Sequence, residues 1–375
     1  MTGERQPRMS AAVPQPVESR RTRVLVLPRY SRLGASSRLR LLQYLPGLEA
    51  DGFEFTVSPL LDDVALGARY HGGSYTLPTL LRCYLRRVGV LLSRRGHDVL
   101  WIEKEALPWW PWWLERLLLR GVPQVLDFDD PIFHNYDLNP RTWVRRLFGR
   151  RVDQLMARAN LVVVGNAYLE RRAIAADAPR VETAPTVIDL DRYPARHQTL
   201  PAEAFPRIVW VGSPYSERYL LELAGPLQML AREHRFVLRI IGGGTLKLPG
   251  VEIEHVEWTE STEVERISEC DIGIMPLVDS PWEQGKCGYK LIQYMACGLP
   301  VVASPVGANV EIVEDGVNGF LAVGPEVWVT RLARLLSDHD LRHRMGKAGR
   351  SRVEAMFCLQ VQQPRLSGFL KQVAR

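Results

Sequence analysis

The sequence predicts an α/β protein: two doubly wound, parallel-sheet domains in tandem, facing one another across a cleft. Three observations carry that prediction. Short apolar runs alternate with longer stretches of helical period through almost the whole chain, as in parallel sheets covered on both faces by helices. The 375 residues are long for one core and comfortable for two, at about 150 residues per domain. Between Tyr193 and Pro206 the alternation breaks, with three prolines and few residues of buried type, as at an interdomain linker.

In order, the first domain (23–197) reads as strands at Arg23–Pro28, Phe53–Ser58, Asp98–Ile102, Gln124–Phe128 and Leu161–Gly165. Between them lie helical patterns at Ser36–Ala50, Leu77–Arg94, Trp112–Arg120, Arg141–Arg158 and Ala167–Ala176. After a linker at 198–206, the second domain (207–357) shows strands at Arg207–Val211, Phe236–Ile241, Val251–Val256, Asp271–Met275 and Pro300–Ser304. Its helices fall near Glu217–Arg232, Tyr289–Cys297, Asn309–Val313, Pro325–Leu336 and Asp338–Ala355. Ligands of such sheets bind beyond the carboxyl ends of the strands, so the cleft is the expected site.

Residues 1–22 are polar, lack an apolar signal core and read as a disordered tail. No apolar run approaches the ~18 residues of a spanning helix. Five scattered cysteines show no zinc or redox spacing and read as reduced thiols of a cytoplasmic enzyme. The net charge of +6 suits an anionic partner without choosing one. No nucleic-acid-binding motif accompanies it.

The chemistry concentrates in Ser280–Ala322, SPWEQGKCGYKLIQYMACGLPVVASPVGANVEIVEDGVNGFLA, which reads as loop, helix, strand, loop, helix and hairpin. Gly285 and Gly288 free the backbone to approach a ligand just before a helix beginning near Tyr289. The unpaired amides of that helix start favour an anion. Gly298 ends the helix and Pro300 keeps it from resuming. Beyond the next strand, Gly307 and Ala308 lead into a second helix start, and two such ends suit a diphosphate.

From Met295 onward the segment closely resembles the donor-binding core of the retaining family-4, or group 1, glycosyltransferases. Weaker matches extend it over most of the chain: Val209-Trp210-Val211-Gly212, Ile240-Ile241-Gly242-Gly243, Gly165-Asn166-Ala167-Tyr168-Leu169 and Pro185-Thr186-Val187-Ile188-Asp189-Leu190-Asp191. The resemblance implies a GT-B fold, with residues 358–375 as a helix crossing back to the first domain. It also implies a nucleotide sugar on the second domain, an acceptor on the first, and transfer with retention and without a metal or other cofactor. The acceptor class stays open between a glycan, a lipid-linked glycan and a small molecule.

The family's two motif glutamates, seven residues apart, would fall on Gly285 and Gln293. Glu283 is the nearest acid to the first position, either reaching the sugar hydroxyls or lying solvated in its loop. Gln293 would replace charged hydrogen bonds of ~1.5–3 kcal/mol to the ribose with neutral ones of ~0.5–1.5 kcal/mol. The family's diphosphate-binding Arg and Lys correspond to Ser213 and Arg218, so one cation remains. Lys290 and Lys286 are candidates for the other, and the Gly307 and Ala308 amides for fixed stabilisation. Gly242-Gly243-Gly244 lacks dinucleotide spacing and reads either as pocket lining or as a plain turn.

In the first domain, the loop at Gly34 opens a helix, either near the phosphates or acceptor or simply as a cap by Ser36 or Ser37. Asp127, Asp129 and Asp130 end a strand pointing into the cleft and need cations, donors or water. Their Asp-x-Asp spacing could serve a metal, but they lie in the wrong domain for the donor motif. Asp129 and Asp130 are expected as acceptor contacts or scaffolding, with Glu103 a further candidate and His134 a loop residue. Trp109, Trp110, Trp112 and Trp113, near a helix with Arg145, Arg146, Arg150 and Arg151, suggest sugar stacking or peripheral contact with an anionic membrane. Ordinary packing with a solvated arginine face is the plainer reading. The rival to a transferase is a nucleotide-sugar-binding protein without turnover, motivated by Ser213, Gly285 and Gln293.

Overall fold

The computed structural model describes residues 20–70, 73–194 and 205–375. Most of the expected linker and the tail up to residue 19 lie outside the described residues. Residues 20–22 correct the expected end of the tail: Thr22 opens β1, and Arg20 pairs with Asp98 at 3.0 Å.

The first sheet contains β1 (Thr22–Leu27), β2 (Phe53–Val57), β3 (Val99–Glu103), β4 (Gln124–Phe128), β5 (Leu161–Val164) and β6 (Val181–Thr183), in the order β2-β1-β3-β4-β5-β6. The second contains β7 (Arg207–Val211), β8 (Val237–Ile241), β9 (Glu252–Val256), β10 (Ile272–Met275), β11 (Val301–Ala303) and β12 (Gly319–Leu321), in the order β12-β11-β10-β7-β8-β9. Every pairing is parallel. The strand order reverses at β1/β3 and at β7/β10, where doubly wound sheets open their ligand crevices.

Alternate strand residues feed opposite faces, as their pleat requires. In the first sheet Leu25, Leu27, Leu100, Ile102, Leu126 and Phe128 pack on one side, under helices Leu77–Leu92, Trp112–Leu119 and Arg151–Met156. Val24, Val26, Trp101, Val125 and Val163 fill the other. That second face also receives Leu366 and Leu370 from the last helix, Leu359–Val373. The crossing is pinned where the Ile188 amide donates to the Phe357 carbonyl at 3.1 Å and the Leu359 amide donates to the Ile188 carbonyl at 2.8 Å.

Several expected elements differ in detail. The pattern at Arg141–Arg158 forms two helices, Thr142–Phe148 and Arg151–Met156, because the chain breaks at Gly149-Arg150. Glu217–Arg232 divides likewise into Glu217–Leu221 and Ala224–Glu233. The expected hairpin near Phe320 is instead β12, paired in parallel with β11. β6 was not legible, being only three half-buried residues at the sheet edge.

Candidate active site

The second-domain wall of the cleft is built around the helix Tyr289–Ala296. It starts where Gly288 adopts φ +63° and stops before Gly298 at φ +74°, conformations that favour glycine. Its inward side is fixed by Tyr294, whose hydroxyl accepts from the Val211 amide at 2.8 Å and whose ring fills the space left by Gly273. Lys290 emerges one residue into this helix, with its Nζ 5.3 Å from the centre of the Trp210 ring. Lys286, in the preceding loop, lies 5.5 Å from the Tyr219 ring centre. Among the described residues no carboxylate lies within 4 Å of either amine. Lys290 is partly open to the cleft, yet surrounding protein and nearby Lys286 push its pKa down to about 8.

Arg218 lies on the short helix after β7, its side chain half exposed. The guanidinium rests against Tyr215 and Tyr219 at 4.6 and 4.8 Å from the ring centres and donates to the Tyr219 hydroxyl at 2.8 Å. Glu283 is not the solvated loop carboxylate that was one alternative. It is buried, accepts from Tyr219 and Ser280, and lies 3.6 Å from Arg218. Burial opposes its charge, but these donors hold its pKa below the ordinary carboxylate range. Arg218, Glu283, Tyr215, Tyr219 and Trp282 line a cavity of about 540 Å³ that Asn135 of the first domain also borders.

The remaining candidate residues of the second domain divide between open and occupied. Gly212 follows β7 and Gly242 follows β8 at φ +73°, with a carbon on Gly242 falling 3.0 Å from the Gly212 carbonyl oxygen. Gly243 continues that turn, packed over Ile240. Ser213 caps the turn Pro214–Ser216, its carbonyl accepting from the Ser216 amide at 2.9 Å. The Gly307 amide, expected to face a diphosphate, donates to Gln284 at 3.1 Å, and Ala308 precedes a helix of only four residues. Gln293 is buried and donates to the Tyr193 hydroxyl at 3.0 Å, and Tyr193 in turn bonds Tyr289. Gln293 is thereby tied to a pair of tyrosines.

Gly285 has a steric reason. A side chain there would begin 2.5 Å from Pro131 of the first domain. The same loop is clamped by Asn166, which donates to the Gly285 and Lys286 carbonyls at 2.9 and 3.1 Å, and by Cys287, which donates to the Asp129 carbonyl at 3.0 Å. A glutamate at the family's first motif position has no room while the two domains meet this closely. At the other rim Arg38 stacks on Trp258 at 5.6 Å, and Arg32, Arg38 and Arg192 approach Glu260.

The first-domain carboxylates expected near the acceptor are held by cations of their own domain. Asp127 is buried, receives Arg40 at 2.7 Å, and is raised by burial to about 6 despite that partner. Asp129 and Asp130 share Lys104 at 2.8 and 3.1 Å, and Asp129 also accepts from Ser36. Burial opposes the Asp129 charge, but Lys104, Arg40 and Ser36 outweigh it and hold its pKa low. Glu103 is fully buried, accepting from the Arg29 amide at 2.8 Å and Ser37 at 2.5 Å. Asp127 and Glu103 are thus scaffolding, whereas Asp129 and Asp130 keep some exposure to the cleft. Gly34 caps the start of helix Ala35–Arg40, and a side chain there would strike Tyr30. His134 opens a helical turn, both ring nitrogens engaged at 2.8 Å by Asp137 and Tyr168.

Lys104 escaped the sequence reading, although Glu103-Lys104-Glu105 at the end of a buried strand was its signal. Tyr219, which joins Arg218 to Glu283, carried no signal at all. Among the described residues no group of three or more His, Cys, Asp or Glu side chains converges as metal ligands.

Residues 205–338 match the profile of the group 1 glycosyl transferases. Spore coat protein SA of Bacillus subtilis is 38% identical over 66 residues, 17% of this chain and 18% of that protein. The D-inositol 3-phosphate glycosyltransferase of Nocardia farcinica is 29% identical over 220 residues, 52% of this chain and 48% of that enzyme. The chain thus spans half or less of the length of these relatives. Sucrose-phosphate synthase from Thermosynechococcus elongatus superposes with TM-score 0.69 at 15% identity, over 94% of this chain and 99% of that one. Anabaena HepE, solved with UDP and glucose, gives 0.68 at 16%, over 94% and 100%. With the paired sheets already described, these likenesses give the chain a GT-B fold and place the group 1 glycosyl transferase profile on residues 205–338, the segment that holds the motif from Met295.

Proposed function

We propose that the chain is a retaining transferase that moves a sugar from a nucleoside-diphosphate donor to a glycan, lipid-linked or small-molecule acceptor, without a metal. One observation carries this reading. Among the described residues neither Lys290 nor Lys286 has a carboxylate within 4 Å, and Lys286 acts on Glu283 only at longer range, so both cations stand open with the half-exposed Arg218 at the β7/β10 switch point. A diphosphate is the anion that such a wall suits, and Arg218 can hold it bidentately. The acid cluster on the first domain argues against a metal there, because Arg40 and Lys104 already neutralise it.

In transfer, the bond from the sugar's anomeric carbon to the diphosphate oxygen breaks as the acceptor oxygen bonds that carbon on the same face. The acceptor proton passes to the departing phosphate oxygen, so no side chain is needed as base. Arg218, Lys286 and Lys290 stabilise the charge developing on the leaving group. Asp129 and Asp130, facing the cleft from the other domain, orient the acceptor hydroxyl. Five cysteines without a disulfide suit a reducing, cytoplasmic setting. The reading includes peripheral contact with the inner face of the cell membrane.

The test is incubation with UDP-, GDP-, ADP- and TDP-glucose in EDTA, following the released sugar by proton NMR. Hydrolysis of one donor with the α anomer appearing first is expected. The β anomer first, or turnover only with added manganese, would overturn the mechanism. Tight nucleotide-sugar binding with no turnover, with or without candidate acceptors, would favour the inert binder that Gly285 and Gln293 suggest.

A further inference from the structure

We infer that the outer face of helices Leu77–Leu92, Trp112–Leu119 and Thr142–Phe148 is a docking surface for an anionic lipid bilayer. Leu77–Leu92, Trp112–Leu119 and Arg151–Met156 pack side by side on the same face of the first sheet. Their inner residues form the core. Their outer face, with the neighbouring helix Thr142–Phe148, leaves Leu81, Leu85, Trp113, Leu117, Trp143 and Leu147 each more than half exposed. Trp110 and Trp112 do pack, the first stacking on Tyr84 at 6.1 Å and the second under Arg158 at 4.6 Å. Trp109 packs as well, on Tyr136 at 4.8 Å, so ordinary packing accounts for three indoles of the run but leaves Trp113 and Trp143 more than half exposed.

Charge selects the occupant. Across 77–97, 109–121 and 140–152 the only acidic residue is Glu115, buried against Arg151. Arg95, Arg116, Arg120, Arg141, Arg146 and Arg150 are exposed on the same helices and their ends, and among the described residues none has a carboxylate within 4 Å. Exposed leucines and indoles ringed by unpaired arginines match an interface that is apolar beneath and anionic above. Nucleic acid would satisfy the arginines but not the leucines. No helix among the described residues is long and apolar enough to cross a membrane, so contact of this kind is peripheral. The patch reaches the cleft through Tyr136, which packs on Trp109 and Phe148, and its neighbour Asn135, which borders the interdomain cavity. A bilayer held there lies on the acceptor side, which points to an acceptor whose sugar is carried by a lipid.

The proposal rests on the membrane contact included above and can be read without turnover, so its failure leaves the transfer chemistry standing. The experiment is co-sedimentation of the full chain with vesicles of phosphatidylcholine alone and of an equimolar mixture with phosphatidylglycerol. Salt-sensitive binding to the mixture and little to the neutral vesicles is expected. Each arginine near an anionic surface contributes about fivefold, so Arg141→Gln with Arg146→Gln and Arg150→Gln should weaken binding about a hundredfold. Trp113→Ser with Trp143→Ser should weaken it about tenfold or more by withdrawing buried apolar area. Equal binding to both vesicles, or none, overturns the proposal. So does concentration-dependent dimerisation that the tryptophan pair abolishes, since a second copy then covers the face. Binding to single-stranded RNA in preference to the anionic vesicles overturns it as well.

Discussion

The two walls of the cleft hold similar numbers of charged groups and dispose of them in opposite ways. On the first domain the cations that reach the strand-end carboxylates are closed on them: Arg40 with Asp127, and Lys104 with Asp129 and Asp130. On the second, Lys286 and Lys290 meet aromatic rings, and Arg218 meets two more rings with Glu283 at the edge of reach. Charges closed on one another hold a fold in shape. Lys290, left against a ring in a low-dielectric wall, is depressed by burial and by nearby Lys286, and it gains most when an anion arrives. The contrast teaches which wall is built and which is waiting.

The largest effect that could break this contrast is on stability. Asp127→Ala strands Arg40 as a buried unpaired charge and should cost about 3–5 kcal/mol of unfolding free energy in urea. A stable variant that had lost only acceptor affinity would move Asp127 from scaffold to binding site. On the other wall, Arg218→Ala should lower kcat/KM by roughly 10²-fold or more, with Lys290→Ala close behind. Neither should lower the melting temperature. Near-wild-type kinetics would remove these residues from the leaving-group site.

Smaller changes sharpen the picture. Gly285→Glu restores the family's acid but meets Pro131, so it should cost about 1–3 kcal/mol through overpacking between the domains. Unchanged stability with improved turnover would mean that the loop yields easily. pH offers the mildest probe. The Lys290 pKa is depressed from 10.5 to about 8, so between those values the unfolded chain holds the extra proton and stability rises with pH. Donor affinity should run the other way, weakening above about pH 8 as the amine that meets the diphosphate becomes neutral. A flat affinity profile from pH 7 to 10, measured by calorimetry, would place Lys290 away from the phosphates.

The sequence showed the architecture well because its long elements are locally periodic. Gln124–Phe128 and Arg207–Val211 stand where their patterns put them, and Leu359–Val373 stands where the resemblance put the last helix. What it concealed depends on distant partners. β12 looks like half of a hairpin until Val301–Ala303 pairs with it, since a three-residue strand has no period of its own. Spacing placed Gln293 on the right helix, but Tyr193, a hundred residues away, decides that it faces inward. Gly285 read as a missing catalytic acid, whereas the approach of Pro131 explains it as a contact between domains. Lys104 acquires its meaning only when Asp129 and Asp130 fold against it.

The most direct test of the waiting wall is thermal unfolding in EDTA with saturating UDP-, GDP-, ADP- or TDP-glucose, on the wild type and on Lys290→Ala. One nucleotide sugar at 100 times its Kd should stabilise the wild type by about 2.7 kcal/mol, and much less at the same concentration should survive in the variant. Stabilisation by none of the four, or only after manganese is added, would contradict a metal-free diphosphate site at Lys290.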